Sequence, residues 1–344
     1  MSMLNRVAIL IPTYNRPGFI LDICKFYSMF NSPNYIIILG DSSSAKEFTQ
    51  NKEIIENFPN IRVMHVRCPK QGPHEALLTI TKVAIRENIK YCMFTGDDDY
   101  VYINSLKVLT QFLDKHSEFR SVRGRALLVG VKDKKRSESL KKITFYQKYW
   151  HSEDISQNHA LDRLEFLLEN YINLQFAIHR SLDFKAQLAA QTGLTMGFYQ
   201  EYSESLCSAT RGKSKFLDVP FLVRLSHQYY GGNSYETNKK DATNNTLNLL
   251  FQFIFDDEPK KLANNILKSL ALEKKYKKIE MKYVKEILVK KLYKTLEKNN
   301  TSGRPQVKKS LILEFVRRKV QKFRLKAHRQ EIALVETFYS VKNM

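Results

Sequence analysis

Apolar and polar positions along the first hundred residues alternate between two rhythms. Val7 to Ile11 is an unbroken apolar run closed by Pro12, the mark of a strand buried on both faces, and Gly18 to Phe30 spaces its apolar residues as a helix does. Tyr35 to Leu39 (YIIIL) reads as a second buried strand, Lys46 to Phe58 as a second helix and Ile61 to Val66 as a third strand. Glu75 to Asn88 reads as a third helix and Tyr91 to Phe94 as a fourth strand. Strand and helix alternating at this spacing predict an α/β fold, a parallel sheet covered by helices. Leu161 to Leu168 and Ser181 to Ala190 also have helical spacing, without evident chemistry. No internal repeat is found.

In such sheets ligands bind beyond the carboxyl ends of the strands, so chemistry is expected just after each strand. Those positions are Pro12 to Arg16, Asp41 to Ser44, Lys70 to His74 and Gly96 to Asp99, and all four groups are polar, glycine-bearing or acidic. Gly96-Asp97-Asp98-Asp99, following YCMF, is the sharpest. Three consecutive carboxylates repel one another, so solvent, basic side chains or a divalent cation must compensate. Mg2+ or Mn2+ suits this donor set, because it takes carboxylate together with phosphate oxygens and so points to a nucleoside diphosphate. The same triplet also reads as an acidic turn capping the next helix.

Taken in order, IPTYNRP, LGDSSS and GDDDY resemble the motifs of the family 2 nucleotide-sugar glycosyltransferases with a GT-A fold. The resemblance runs over roughly Val7 to Val223 and is closest to the bacterial branch that builds capsule and lipopolysaccharide O-chains. It implies a Rossmann-like nucleotide-diphospho-sugar transferase fold with a mainly parallel sheet. It further implies that Pro12, Thr13 and Tyr14 line the nucleotide base, with Arg16 on the same loop. Asp41 becomes the base-binding carboxylate, although Gly40 and Ser42 depart from the family's D-D-G-S turn. Gln71, with Lys70 or His74, falls near ribose or phosphate. Asp97 to Asp99 match the D-x-D element, with the outer pair, Asp97 and Asp99, on ribose and metal and Asp98 on the donor.

An inverting transfer also needs a base, since an acceptor hydroxyl is a weak nucleophile until its proton is taken. The family's E-D pair falls on Gln200-Glu201, so Glu201 matches the catalytic acid with one methylene more than the usual Asp, and Glu204 at i+3 is the substitute. The bland reading of Glu201 is a solvated carboxylate at a helix end. Arg224 falls near the diphosphate, and His227 where some GT-A enzymes supply a late metal ligand. Phe145 to Asp154 holds the only tryptophan, and Tyr146, Trp150 and His151 read either as an aromatic platform for a sugar acceptor or as part of a packed helix.

Composition changes the picture at the C-terminus. The chain has 344 residues, 43% hydrophobic and 26% charged, which excludes collagen-like, disordered and disulfide-scaffold classes. Its net charge is +21, and Glu258 to Met344 alone holds 24 Lys and Arg against 8 Asp and Glu. The division expected is therefore a GT-A catalytic domain over 1–246 and a basic helical region over 247–344. Leu262, Ile266 and Leu270, and later Ile312, Val316, Val320 and Phe323, fall at helical spacing between lysines and arginines. Such helices suit an anionic membrane surface, or packing on the catalytic domain or a second copy of the chain. A nucleic-acid partner is disfavoured, because no dedicated reader motif is present.

Cys24, Cys68, Cys92 and Cys207 are too scattered for a zinc site or a disulfide framework. No apolar run of 18 residues occurs, and the N-terminus meets charge and proline too early for a signal segment, so the expected place is the cytoplasm, on or off the inner face of the cell membrane. The expected activity is transfer of a sugar from a nucleotide-sugar donor to a hydroxyl of a glycan or lipid-linked glycan. A sugar nucleotidyltransferase is the alternative, though it would want a glycine-rich basic loop where Pro12 to Pro17 stands. A basic nucleic-acid-binding or scaffold protein is the other.

Overall fold

The computed structural model describes residues 7–30, 32–132, 142–148, 152–170, 172–191, 194, 197–227 and 258–271, with side chains except at 131–132, 142–148, 197–199, 226–227, 258–260 and 269–271. The first hundred residues form β1 (Val7–Thr13), α1 (Pro17–Ser28), β2 (Tyr35–Asp41), α2 (Ala45–Glu56), β3 (Val63–Arg67), α3 (Pro73–Arg86) and β4 (Tyr91–Phe94). Each expected element is present, displaced by a few residues at most. Pro17 and Pro73 open α1 and α3 at the first helical turn, where a missing N–H costs nothing.

Next come β5 (Tyr100–Val101), a 3-10 turn (Ile103–Ser105), α4 (Leu106–Lys115), β6 (Phe119–Lys132) and β7 (Lys142–Lys148). The remainder is α5 (Ala160–Glu169), β8 (Ile178–Arg180), α6 (Ser181–Ala189), α7 (Gly197–Arg211), β9 (Lys213–His227) and α8 (Glu258–Ala271). The strands make one sheet in the order β3-β2-β1-β4-β8-β6-β9-β5, with β7 beside β6. From β3 to β4 all pairs are parallel, in a register that sets Thr13 against Asp41 and Leu10 against Phe94. Beyond β4 the pairing is mixed, antiparallel at β4–β8, β8–β6, β6–β7 and β9–β5. The longest pair in that half, β6–β9, is again parallel. Strand β7 replaces the packed helix considered for the segment after Phe145.

Alternation along β1 divides the sheet's two covers. Val7, Ile9 and Ile11 pack with Ile20, Ile23 and Phe26 of α1 and with Leu106, Leu109 and Leu113 of α4. Ala8 and Leu10 point the other way, to Leu77 and Ile80 of α3 and Phe184 and Leu188 of α6. Gly40 lets α3 approach β2, since a Cβ there would lie 3.0 Å from Ile80 Cγ2. A separate cluster joins Leu164 and Leu167 of α5, Leu206 and Cys207 of α7, and Leu262, Ala263 and Ile266 of α8. The Asn265 amide donates to the Ala190 carbonyl at 2.6 Å. The first helix of the basic region, expected beyond residue 246, therefore packs into the catalytic body. The later stripe from Ile312 to Phe323 lies outside the described residues.

All four cysteines are buried. Among the described residues no helix is long and apolar enough to cross a membrane.

Candidate active site

Parallel registration brings the loops after β1, β2 and β4 to one rim. Asn15, with φ of 52° in the left-handed region that Asn tolerates, ties two of them together. Its N–H donates to Ser43 Oγ at 2.8 Å, and its Oδ1 accepts the Ser44 N–H at 2.9 Å. Ser42 N–H donates to the Thr13 carbonyl at 3.0 Å. Tyr14 is left 61% exposed at the tip, while Pro12 and Thr13 close the strand behind it.

Asp41 lies beneath this rim, wholly buried. Its Oδ1 accepts the Ser43 N–H, and its Oδ2 accepts from Asn51 Nδ2 and His65 Nε2, each at 2.8 Å. Burial raises the carboxyl, but hydrogen bonds from His65, Ser43 and Asn51 outweigh it and hold the group at about 2. A direct contact with a base, as expected for Asp41, would require one of these partners to give way. Around it Phe48 stacks on His65, with centroids 4.2 Å apart, and takes the Arg67 guanidinium on its ring at 4.4 Å. A carboxylate depressed below its unfolded value stabilises the fold at neutral pH, and that contribution fades as pH falls through about 2. Asp41→Ala strands His65 and Asn51, with an expected cost of about 3 kcal/mol. Urea unfolding followed by circular dichroism measures it; a loss below about 0.5 kcal/mol, the ordinary scatter of surface substitutions, would show that the turn stands without the carboxylate.

The acidic run does not cap the next helix, because β5 follows it and the next helical turn begins only at Ile103. It alternates instead, with Asp97 and Asp99 buried at 3% and 2% exposure and Asp98 facing outward. Thr13 Oγ1 donates to Asp97 Oδ2 at 2.7 Å. Arg16 bridges the run, from NH1 to Asp97 Oδ1 at 2.6 Å and from NH2 to Asp98 Oδ2 at 3.0 Å, with its guanidinium 3.8 Å over the Phe19 ring. Asp99 accepts from Arg224 Nε and from the Leu225 N–H, both at 3.1 Å. Burial pushes the Asp97 and Asp99 carboxyls upward; the Arg16 and Arg224 guanidiniums pull each back, and Asp98 between them adds repulsion. Basic side chains thus supply much of the compensation that three adjacent acids need.

This arrangement decides how a divalent cation fits. Asp97 and Asp99, expected as the metal pair, are turned inward and engaged by Thr13, Arg16, Arg224 and Leu225. Asp98, with 23% of its side chain exposed, is the carboxylate at the surface. Among the described residues no three His, Cys, Asp or Glu side chains converge as a cage. Mg2+ and Mn2+ commonly bind through one or two carboxylates and complete their sphere from substrate phosphates, so Asp98 fits such a cation without one. The side chain of His227 lies outside the described residues, as do Trp150, His151 and the side chain of Tyr146.

The neighbouring loop after β3 holds the other donor-side candidates. Lys70 is exposed with φ of 60°, and Gln71 Oε1 accepts from Thr79. His74, in the first turn of α3, sits beside Gln191, and burial lowers its pKa.

On the far side, α7 carries Glu201 half-buried near its start. Asn173 Nδ2 donates to Glu201 Oε1 at 2.7 Å. Glu204, one turn on, is 1% exposed, and burial lifts its carboxyl to about 8, with Gln191 and Gln175 pulling down and Glu201 pushing up. Burial sets it behind Glu201 rather than at the surface, so Glu201 is the more accessible of the two carboxyls. Between Glu201 and the acids lies the loop before β8. Its Phe176 stacks on Phe94 at 5.2 Å and carries the Arg224 guanidinium at 4.4 Å. Thr13 and Arg16 bind the acids, Arg224 joins Asp99 to Phe176, and the loop that carries Phe176 also carries Asn173, the partner of Glu201. Asn51, His65, Asn173 and Phe176 carry no motif, and only their contacts mark them.

The fold is of the GT-A type. Residues 8–165 match the model of glycosyl transferase family 2, from β1 to α5. They form a family 2 domain, and the protein is a glycosyltransferase, which sets aside the nucleotidyltransferase and scaffold alternatives. Among solved structures, S. aureus TarS 1–349 in complex with UDP-GlcNAc is similar at 15% identity and a TM-score of 0.52, over 88% of this chain and 76% of that one. The same fragment in another crystal structure gives 14% identity and a TM-score of 0.49 over the same shares. The mannosyltransferase PcManGT from Pyrobaculum calidifontis, in complex with GDP-Man and Mn2+, gives 12% and 0.39 over 99% and 87%. At these identities the likeness is one of fold. No curated protein matches the chain.

Proposed function

We propose that this glycosyltransferase takes a sugar from a nucleoside-diphosphate donor and places it, with inversion, on a hydroxyl of a glycan or lipid-linked glycan in bacterial surface polysaccharide synthesis. The observation that carries the proposal is that one short loop bears both Phe176, under the Arg224 that meets Asp99, and Asn173, which donates to Glu201. The nucleoside sits at the Tyr14 rim, over the ordered turn that Asp41 organises, with Lys70, Gln71 and His74 on the adjoining loop. Arg16 and Arg224 face the diphosphate, and Glu201 takes the proton of the acceptor hydroxyl as it attacks the anomeric carbon. Asp98 holds a Mn2+ or Mg2+ ion which, when bound, supplies positive charge at the leaving diphosphate. His227 is a further ligand in this proposal. The reaction belongs on the cytoplasmic side, where the basic C-terminal region suits an anionic membrane surface or a second copy of the chain.

Thermal shift with UDP, GDP, CMP and TDP, each with and without Mn2+, tests this reading. A nucleoside diphosphate is expected to raise Tm by several degrees, more with the metal than without it. Stabilisation by none of them would remove the donor site from this rim. Mass spectrometry of a nucleotide-sugar panel after incubation then identifies the sugar.

A further inference from the structure

Glu201 is one methylene longer than an aspartate and has one more torsion to fix, so a base of this kind needs something to hold it. The structure provides a donor that cannot turn away. Asn173 is buried at 8% exposure in the loop between α5 and β8, and its Oδ1 accepts the Gln175 N–H at 2.8 Å. With the oxygen end of the amide committed to the backbone, the Nδ2 end faces Glu201 Oε1, which it meets at 2.7 Å. The loop is itself pinned to the base's helix. Leu174 N–H donates to Ser205 Oγ at 3.0 Å, and the Leu174 carbonyl lies 2.8 Å from Nε2 of the buried His179. Two residues after Leu174, the Phe176 ring lies under the Arg224 guanidinium at 4.4 Å.

We propose that Asn173 is a positioning residue of the catalytic base, holding Glu201 in one rotamer. This rests on Glu201 being the base. Among the described residues, the titratable groups beside Glu201 include Tyr202 and Glu204 of its own helix. From the facing loop come the neutral Asn173 and Gln175, and from α3 His74, reached through Gln191. Arg163 of α5 and Asp183 of α6 act at the other end of α7, on the Ala209 carbonyl and on Arg211.

Asn173→Asp keeps the shape, removes the N–H donor and sets a like charge against Oε1. A raised base must be deprotonated at higher pH, so the acid limb of kcat/KM is expected to move up by about one unit, with turnover at pH 7 falling about tenfold. Nucleoside diphosphate binding, read by thermal shift with UDP or GDP and Mn2+, stays within about twofold, because Asn173 does not touch that rim. Turnover is followed as nucleoside diphosphate released from the sugar nucleotide that the panel selects. Asn173→Ala, which adds no charge, is the companion should the aspartate variant fail to fold; it is expected to lose turnover about tenfold with Tm still responding to nucleotide. An acid limb unmoved in Asn173→Asp, or full turnover in Asn173→Ala, overturns the positioning role. If Glu201→Gln is inactive while the Asn173 variants are normal, this inference alone fails. If Glu201→Gln is itself active, the base reading fails and takes this one with it.

Discussion

Glu201→Gln is expected to lower turnover by about 10²- to 10⁴-fold, the range that a positioned general base contributes, while leaving nucleoside diphosphate binding unchanged. The amide keeps the size of the carboxylate, so α7 and its packing are preserved. It also keeps an oxygen to accept the Asn173 N–H bond. What it lacks is basicity. Comparing kcat with nucleotide-induced Tm shift in the same preparation separates the two functions. Turnover within tenfold of the unaltered enzyme would take the role from Glu201. Glu204, at 1% exposure, would need the helix surface to open before it could inherit the role. Without that opening, the acceptor or donor itself would have to provide the base.

The second large effect is expected at Asp98. Asp98→Ala removes the outward carboxylate of the acidic run, so the part of nucleotide stabilisation that depends on Mn2+ is expected to vanish, with affinity for UDP or GDP in Mn2+ weaker by about tenfold or more. Stability itself should fall by less than about 1 kcal/mol, since the Asp98–Arg16 pair is partly exposed and Arg16 retains Asp97. Asp99→Asn should behave in the opposite way. It removes a buried charge from beside Arg224 and weakens the acceptor for the Leu225 N–H, so its first effect is on folding. Isothermal titration with and without Mn2+, together with urea unfolding, distinguishes the two substitutions. Should Asp98→Ala keep its full Mn2+ response while a folded Asp99→Asn loses it, the metal belongs to the inner acid as the sequence motif implies.

That contrast shows where sequence reading stops. The strand and helix order up to Phe94 was legible because each element records its burial locally. β1 and β2 are apolar because both sheet faces are covered, and Pro17 and Pro73 mark helix starts by chemistry alone. The acidic and polar loops were legible because parallel strands deliver their carboxyl ends to one side. In the segment after Phe145, aromatic residues compatible with either a helix or a strand left the choice to pairing, and β6 took β7 as its neighbour.

Sequence by itself determined that this chain folds as an α/β nucleotide-type sheet with acids and an arginine at its rim, because periodicity and turn chemistry act between near neighbours. Only the tertiary structure decided which acids face inward, that Arg224 meets Asp99 across 125 positions of chain, that Asn173 meets Glu201, and that α8 belongs to the catalytic body. Those pairings depend on sheet register and on which helix faces meet, and neither leaves a local trace when the partners are ordinary residues such as asparagine and phenylalanine.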